Sequence, residues 1–121
     1  MKDKGEETKD MQLAELFKLQ EKLDNEIMNN HFITEIKPED LLNERLLALH
    51  TEVSELANAT RSFKYWSTKG PEPKGRLLDE YADILHFWLS VGLSLGFSPK
   101  EVIDAYIAKH EKNYIRQKTG Y

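Results

Sequence analysis

Between Tyr81 and Leu95 the chain has almost no polar side. Tyr81, Ala82, Ile84, Leu85, Phe87, Trp88, Leu89, Val91, Leu93 and Leu95 point in nearly every direction round a helix axis, because successive residues turn by about 100°. A helix that is apolar all round is normally covered on most sides. Lys74 to Gly96 is therefore expected to be the central helix of a bundle. The uncharged run Ile84–Pro99 holds 16 residues, among them His86, three serines and two glycines. It is too short and too polar to span a membrane. Its polar residues, with Asp83 just before it, carry information. An unpaired buried carboxylate is costly, so Asp83 is expected to be neutralised, paired or metal-bound.

Three further helices fit around this one. Leu13, Leu16, Phe17, Gln20, Leu23, Asp24 and Ile27 recur at steps of three and four, from about Met11 to His31. Pro38-Glu39-Asp40 opens a second helix, with proline in the first turn and acids at the positive end of the dipole. It is expected to run to about Tyr65, with Leu42, Leu46, Leu49, Val53, Leu56, Thr60 and Phe63 as its apolar stripe. Ser98-Pro99-Lys100-Glu101 opens a fourth, reaching about Arg116, from which Val102, Ile103, Ala105 and Tyr106 can pack inward. No stretch carries a useful strand signal. The expectation is an all-α, four-helix antiparallel bundle. Residues 1–9 are expected to form a charged, flexible tail and 10–121 a single domain.

Composition narrows the function. A net charge of −4 disfavours nucleic-acid binding through a basic surface. No cysteine is present, which excludes disulfides and a thiol nucleophile. The charged N-terminus has no apolar signal core, and a cytoplasmic protein without membrane attachment is expected.

Two acidic pairs, Glu52-Val-Ser-Glu55 and Glu80-Tyr-Ala-Asp83, each place both carboxylates on one helix face. Such a pair is commonly plain solvated surface. Here the second leads into the most apolar helix and the first borders an apolar stripe. The break Gly70-Pro71-Glu72-Pro73-Lys74-Gly75 lets their helices lie antiparallel, so the pairs can face each other. An all-carboxylate site suits Mg²⁺, or Mn²⁺ as a substitute, and Mg²⁺ typically completes its shell with water and phosphate oxygens. That points to metal-assisted hydrolysis of a phosphate compound.

Other residues admit two readings. His86, one turn after Asp83, could join the carboxylates on zinc. A hydrogen-bonded structural or pocket-lining histidine is the better reading, since none of the four histidines is paired at i, i+4 with another. In Phe63-Lys64-Tyr65-Trp66 the aromatics could be core or could bracket a flat base, and Lys64 could meet a phosphate. Lys109, Asn113 and Arg116 share one helix face, either solvated or offering two cations and an amide to phosphate and sugar. Gln20 is either a half-buried polar residue or a reader of a base edge.

The acidic pairs resemble the all-α nucleoside triphosphate pyrophosphohydrolase superfamily, which includes MazG-like enzymes. The finer resemblance is to the all-α, dimeric type of dUTPase. It rests on Leu16-Phe-Lys-Leu-Gln20, Glu52-Val-Ser-Glu-Leu-Ala-Asn58 and Phe63-Lys-Tyr-Trp-Ser67. It rests also on Glu80-Tyr-Ala-Asp-Ile-Leu-His-Phe87 and Asn113-Tyr-Ile-Arg-Gln-Lys-Thr-Gly-Tyr121. The resemblance implies hydrolysis of dUTP to dUMP and pyrophosphate, with dUDP as a possible second substrate. It implies that Glu52, Glu55, Glu80 and Asp83 hold Mg²⁺ and that Glu55 orients or deprotonates the attacking water. Gln20, Asp24, Trp66, His86 and Phe87 would form the uracil pocket, and Lys64, Lys109, Asn113 and Arg116 would serve phosphate or sugar. Where relatives often carry asparagine, Asp24 presents only acceptors. The chain is also short for the family, so a homodimer or higher homo-oligomer is expected to close the pocket. A related enzyme acting on another nucleotide, such as dCTP, and a non-catalytic helical interaction module are the alternatives. A substrate panel with Mg²⁺, and Mg²⁺ or Mn²⁺ binding, separate the three.

Overall fold

The computed structural model describes residues 11–120. The expected tail and Tyr121 lie outside them. The described residues form four helices: α1 (Leu13–Asn30), α2 (Leu42–Thr60), α3 (Lys74–Leu95) and α4 (Pro99–Lys118), with a 3-10 turn over Pro38–Leu41 leading into α2. No strand occurs among them. The chain is an all-α bundle.

Local chemistry sets the helix ends. At α4, Ser98 Oγ accepts from the Glu101 backbone N–H (3.1 Å) and Glu101 Oε1 accepts from the Ser98 N–H (2.8 Å). This reciprocal cap satisfies two otherwise orphaned donors. Gly96 closes α3 in the left-handed region, φ 75°, where glycine carries no Cβ penalty. Arg61 closes α2 with φ 58°, so α2 stops at Thr60 rather than near Tyr65. Thr60 explains part of this. Its Oγ1 donates to Ala57 O (2.8 Å) and its side chain accepts from the Ser62 N–H (3.3 Å), giving the backbone a turn in place of another helical step.

α3 is central, packing against α1, α2 and the 3-10 turn. α2 and α3 run antiparallel: Arg45 meets Ser90 and Ser94 at one end, and Glu72, just before α3, donates its N–H to Ala59 O (3.0 Å) at the other. α1 crosses this pair. Phe17, Gln20 and Asp24 meet α3 between His86 and Gly92. The approach is close because Gly92 has no side chain. A Cβ there would lie 3.0 Å from the Phe17 ring.

The inward face of α2 differs from the expected stripe. Leu46 and Val53 are exposed, whereas Arg45 and Ala59 are buried and Leu49, Glu52 and Leu56 half-buried. The seam thus runs through Arg45 and Glu52 rather than beside them. α3 is less covered than its composition suggests, with Leu78, Tyr81, Leu85, Trp88 and Leu95 exposed in the single chain. α4 packs against α1 and buries none of its residues. Ile103 and Tyr106, expected to face inward, are exposed, while Val102 is half-buried.

Candidate active site

Antiparallel α2 and α3 bring the two acidic pairs together. Glu52 on α2 and Glu80 and Asp83 on α3 each offer a carboxylate oxygen, and these oxygens lie within 4.8 Å of one another. The buried member is Glu80, at 8% exposure, and not Asp83, which stands exposed at the edge. Glu80 faces the α2 seam, whereas Asp83, three residues on, lies about 60° round the axis at the rim of the same face. Arg76, one turn before Glu80, donates to Glu80 Oε2 at 2.8 Å and approaches Asp79 at 3.6 Å.

Burial and repulsion act together in the group. Desolvation first, then the charges of Asp83, Glu80 and Glu55, push the Glu52 carboxyl above its ordinary value. Glu55 lies outside the three-oxygen group and is exposed, yet near enough for its charge to act on Glu52. Three oxygen donors whose mutual repulsion a cation would relieve fit a hard divalent ion. The group contains carboxylates only, and His86 is not part of it.

His86 belongs to a second cluster, one to three turns further along α3. Its Nδ1 lies 2.6 Å from Gln20 Oε1. Gln20 Nε2 donates to Asp24 Oδ1 at 2.9 Å, and Asp24 Oδ2 accepts from Ser90 Oγ at 2.8 Å. Arg45 Nη2 stands 3.6 Å from the same Oδ2. Gln20 is buried, at 5% exposure. A carboxylate only accepts, so Gln20 must turn its amide nitrogen to Asp24 and its oxygen to His86. His86 therefore carries its proton on Nδ1 and, when neutral, leaves Nε2 as an acceptor.

A sequence model of the dUTPase family matches residues 12–98. The chain belongs to the all-α dUTPase family. It is a hydrolase of the dUTP diphosphatase type. Comparison with curated proteins and with solved structures gives no match. The family typically needs a divalent metal. The matched span covers both clusters of this dUTPase and ends at the cap of α4, before Lys109, Asn113 and Arg116.

The remaining sequence candidates are more dispersed. Phe63, Lys64, Tyr65 and Trp66 lie in the turn after α2, not on the helix itself. Trp66 is 64% exposed and packs edge-on against Phe63 (6.0 Å) and Tyr65 (5.2 Å), while Lys64 Nζ stands 5.8 Å from the Phe63 ring centre. Arg61 braces this turn, donating from Nη2 to Ser67 Oγ at 2.9 Å. Phe87 is half-buried on α3. Lys109 and Asn113 are exposed and Arg116 half-buried on α4, which packs on α1 and not on the α2–α3 pair that carries the carboxylates.

Sequence reasoning missed Arg45 and Arg76. Arg45 was detectable, since it lies three residues after Leu42 and four before Leu49 and so shares their face. Arg76 carried no such signal beyond its i, i+4 spacing from Glu80.

Proposed function

We propose that this dUTPase converts dUTP and water to dUMP and pyrophosphate with Mg²⁺, or Mn²⁺ in its place, held by Glu52, Glu80 and Asp83 with help from Glu55. The convergence of three carboxylate oxygens within 4.8 Å carries the reading. Mg²⁺ neutralises phosphate charge and makes water a better nucleophile near neutral pH. Glu52, Glu80 and Asp83 fix the place of that charge, and Glu55, outside the triad, receives the proton of the attacking water. Arg76 balances Glu80 until the cation and substrate arrive.

For the base, His86 Nε2 accepts from the N3–H of uracil and the second Nε2 proton of Gln20 donates to a uracil carbonyl. Cytosine has no hydrogen on N3, so the same acceptor meets another acceptor and is rejected. Trp66 and Phe87 supply apolar surface to the ring. Lys64, and Lys109, Asn113 and Arg116 from α4, meet phosphate or sugar. The last three lie away from the α2–α3 carboxylates in one chain, and a homodimer brings them to the site from the second copy. Support for that assembly comes from the exposed apolar residues Ile103, Tyr106, Ile107, Tyr114 and Ile115 of α4.

The test is a substrate panel of dUTP, dUDP, dCTP, dTTP and UTP with Mg²⁺ present and Glu55→Gln as control. Preferred turnover of dUTP, releasing pyrophosphate and lost in the variant, is expected. Preference for dCTP, or turnover unchanged by Glu55→Gln, would overturn the assignment.

A further inference from the structure

The geometry points to Arg45 as a positioning residue for base recognition: from α2 it holds Asp24, and through Asp24 and Gln20 it sets which nitrogen of His86 carries the proton. The inference rests on the assignment of Gln20 and His86 to the base.

Arg45 is 8% exposed in the seam of three helices. Its Nη1 donates to Ser90 O at 3.0 Å and to Ser94 Oγ at 2.9 Å. Its Nη2 faces Asp24 Oδ2 at 3.6 Å. Ser94 Oγ donates in turn to Pro38 O at 2.6 Å, which leaves the Ser94 lone pairs to receive Arg45. A buried guanidinium is costly unless paired and hydrogen-bonded, and Ser90 O, Ser94 Oγ and Asp24 Oδ2 together meet that need. Hydrogen bonds in such a chain have a direction. The guanidinium faces the Asp24 carboxylate, and a carboxylate only accepts. Gln20 then presents Nε2 to Asp24 and Oε1 to His86, and His86 donates from Nδ1.

Without the guanidinium the direction is no longer enforced. Where the group at position 24 can donate, as the amide in Arg45→Met/Asp24→Asn can, its N–H turns to Gln20 Oε1 and flips that amide. Gln20 then presents N–H to His86 Nδ1, and the imidazole proton moves to Nε2. The group facing the base changes from acceptor to donor. That donor suits the bare N3 of cytosine and opposes the N3–H of uracil. Arg45 thereby acts on the choice of base without touching it.

The experiment uses the full chain labelled with ¹⁵N-histidine, comparing wild type, Arg45→Lys, Arg45→Met and Arg45→Met/Asp24→Asn. The double variant removes both buried charges, which keeps a folded comparison in hand if Arg45→Met alone unfolds. Long-range ¹H–¹⁵N correlation spectra read the His86 tautomer, and kcat/KM is measured for dUTP and dCTP. The expected result is an Nδ1–H tautomer in wild type, retained in Arg45→Lys. Arg45→Met, or the double variant in its place, shows Nε2–H or a mixture. The dUTP:dCTP ratio of kcat/KM falls by ~10-fold or more, mainly through KM for dUTP. A purely structural Arg45 would lower Tm while leaving tautomer and ratio at wild-type values, and that outcome overturns the inference. Wild type with no preference for dUTP would instead overturn the base assignment, and the tautomer spectra would still decide the role of Arg45.

Discussion

The acidic group at Glu80 and Asp83 and the polar chain at His86, Ser90 and Ser94 stand on the same face-rich helix, α3, within a few turns of each other. Their electrostatics are opposite. In the acidic group, Glu52, Glu80 and Asp83 converge with like charge, and desolvation first, then these charges, push the Glu52 carboxyl up. Arg76, half in solvent, offsets this only at Glu80. In the polar chain a donor meets an acceptor at each link, from Arg45 through Asp24 and Gln20 to His86. Paired buried groups of this kind hold one geometry. The first cluster thus sets like charges against one another, and the second pairs its members within the chain. Substitutions should therefore have opposite effects on stability at the two places.

The largest effect is expected from Asp83→Asn or Glu52→Gln. Hydrolysis of dUTP should fall by at least ~10³-fold, with Mn²⁺ affinity lost in calorimetric titration. Tm without metal should hold or rise, because a like charge has gone. A fall in Tm with activity intact would break the contrast. At the second cluster, Gln20→Ala leaves Asp24 and His86 facing a gap. Burying unsatisfied partners costs about 1–3 kcal/mol, so Tm should drop, and KM for dUTP should rise ~10-fold or more with Mn²⁺ affinity unchanged. Wild-type KM in this variant would remove Gln20 from the base pocket.

The pH dependence separates the clusters further. With its carboxyl raised from 4.5, Glu52 keeps a proton in the folded chain at pH values where the unfolded chain has lost it. Stability without metal should therefore decline as pH rises through the window just above 4.5, and cation affinity should increase over the same window. Thermal melts with and without Mn²⁺ across that range provide the measurement. Glu52→Gln should flatten both trends, and a metal-free stability that climbs through this window in wild type would contradict the repulsive description.

Much of this was legible in the chain itself, and the exceptions have physical causes. The four helices follow from apolar periodicity, the Ser98–Glu101 cap and Gly96, all of which act locally. The pairing of Glu52 with Glu80 and Asp83 follows from two acidic pairs flanking a Pro/Gly break. The end of α2 did not, because Thr60 hydrogen-bonds its own backbone and Arg61 takes a left-handed conformation that arginine rarely adopts. The inward face of α2 was misread because leucine was given more weight than position. Arg45 occupies a core position, and only the joint presence of Asp24, Ser90 and Ser94 across three helices makes that affordable. The exposed apolar residues of α3 and α4 were read as buried from their apolar character, whereas the single chain leaves them uncovered.

Gly92 sets the approach of α1 to α3 beside the second cluster, and its substitution is the smallest effect to be resolved. It lets α1 approach α3 closely enough for Gln20 to reach His86. Alanine at this position gains about 1 kcal/mol of helix propensity over glycine. Its Cβ would stand 3.0 and 3.1 Å from Phe17 Cε1 and Cζ, and overpacking of that kind costs about 1–3 kcal/mol. The Phe17 ring is buried and leans on Trp88, with centroids 6.2 Å apart, so any retreat from Gly92 disturbs that packing and the apolar cleft it lines with Leu95 and Phe97. Gly92→Ala should therefore lower stability by ~1 kcal/mol in denaturant unfolding and raise KM for dUTP about two- to threefold, leaving Mn²⁺ affinity untouched. Combining it with Phe17→Leu should recover less than additive loss, because the smaller side chain removes the clash. Strictly additive losses would show that the ring and the glycine do not set the α1–α3 distance.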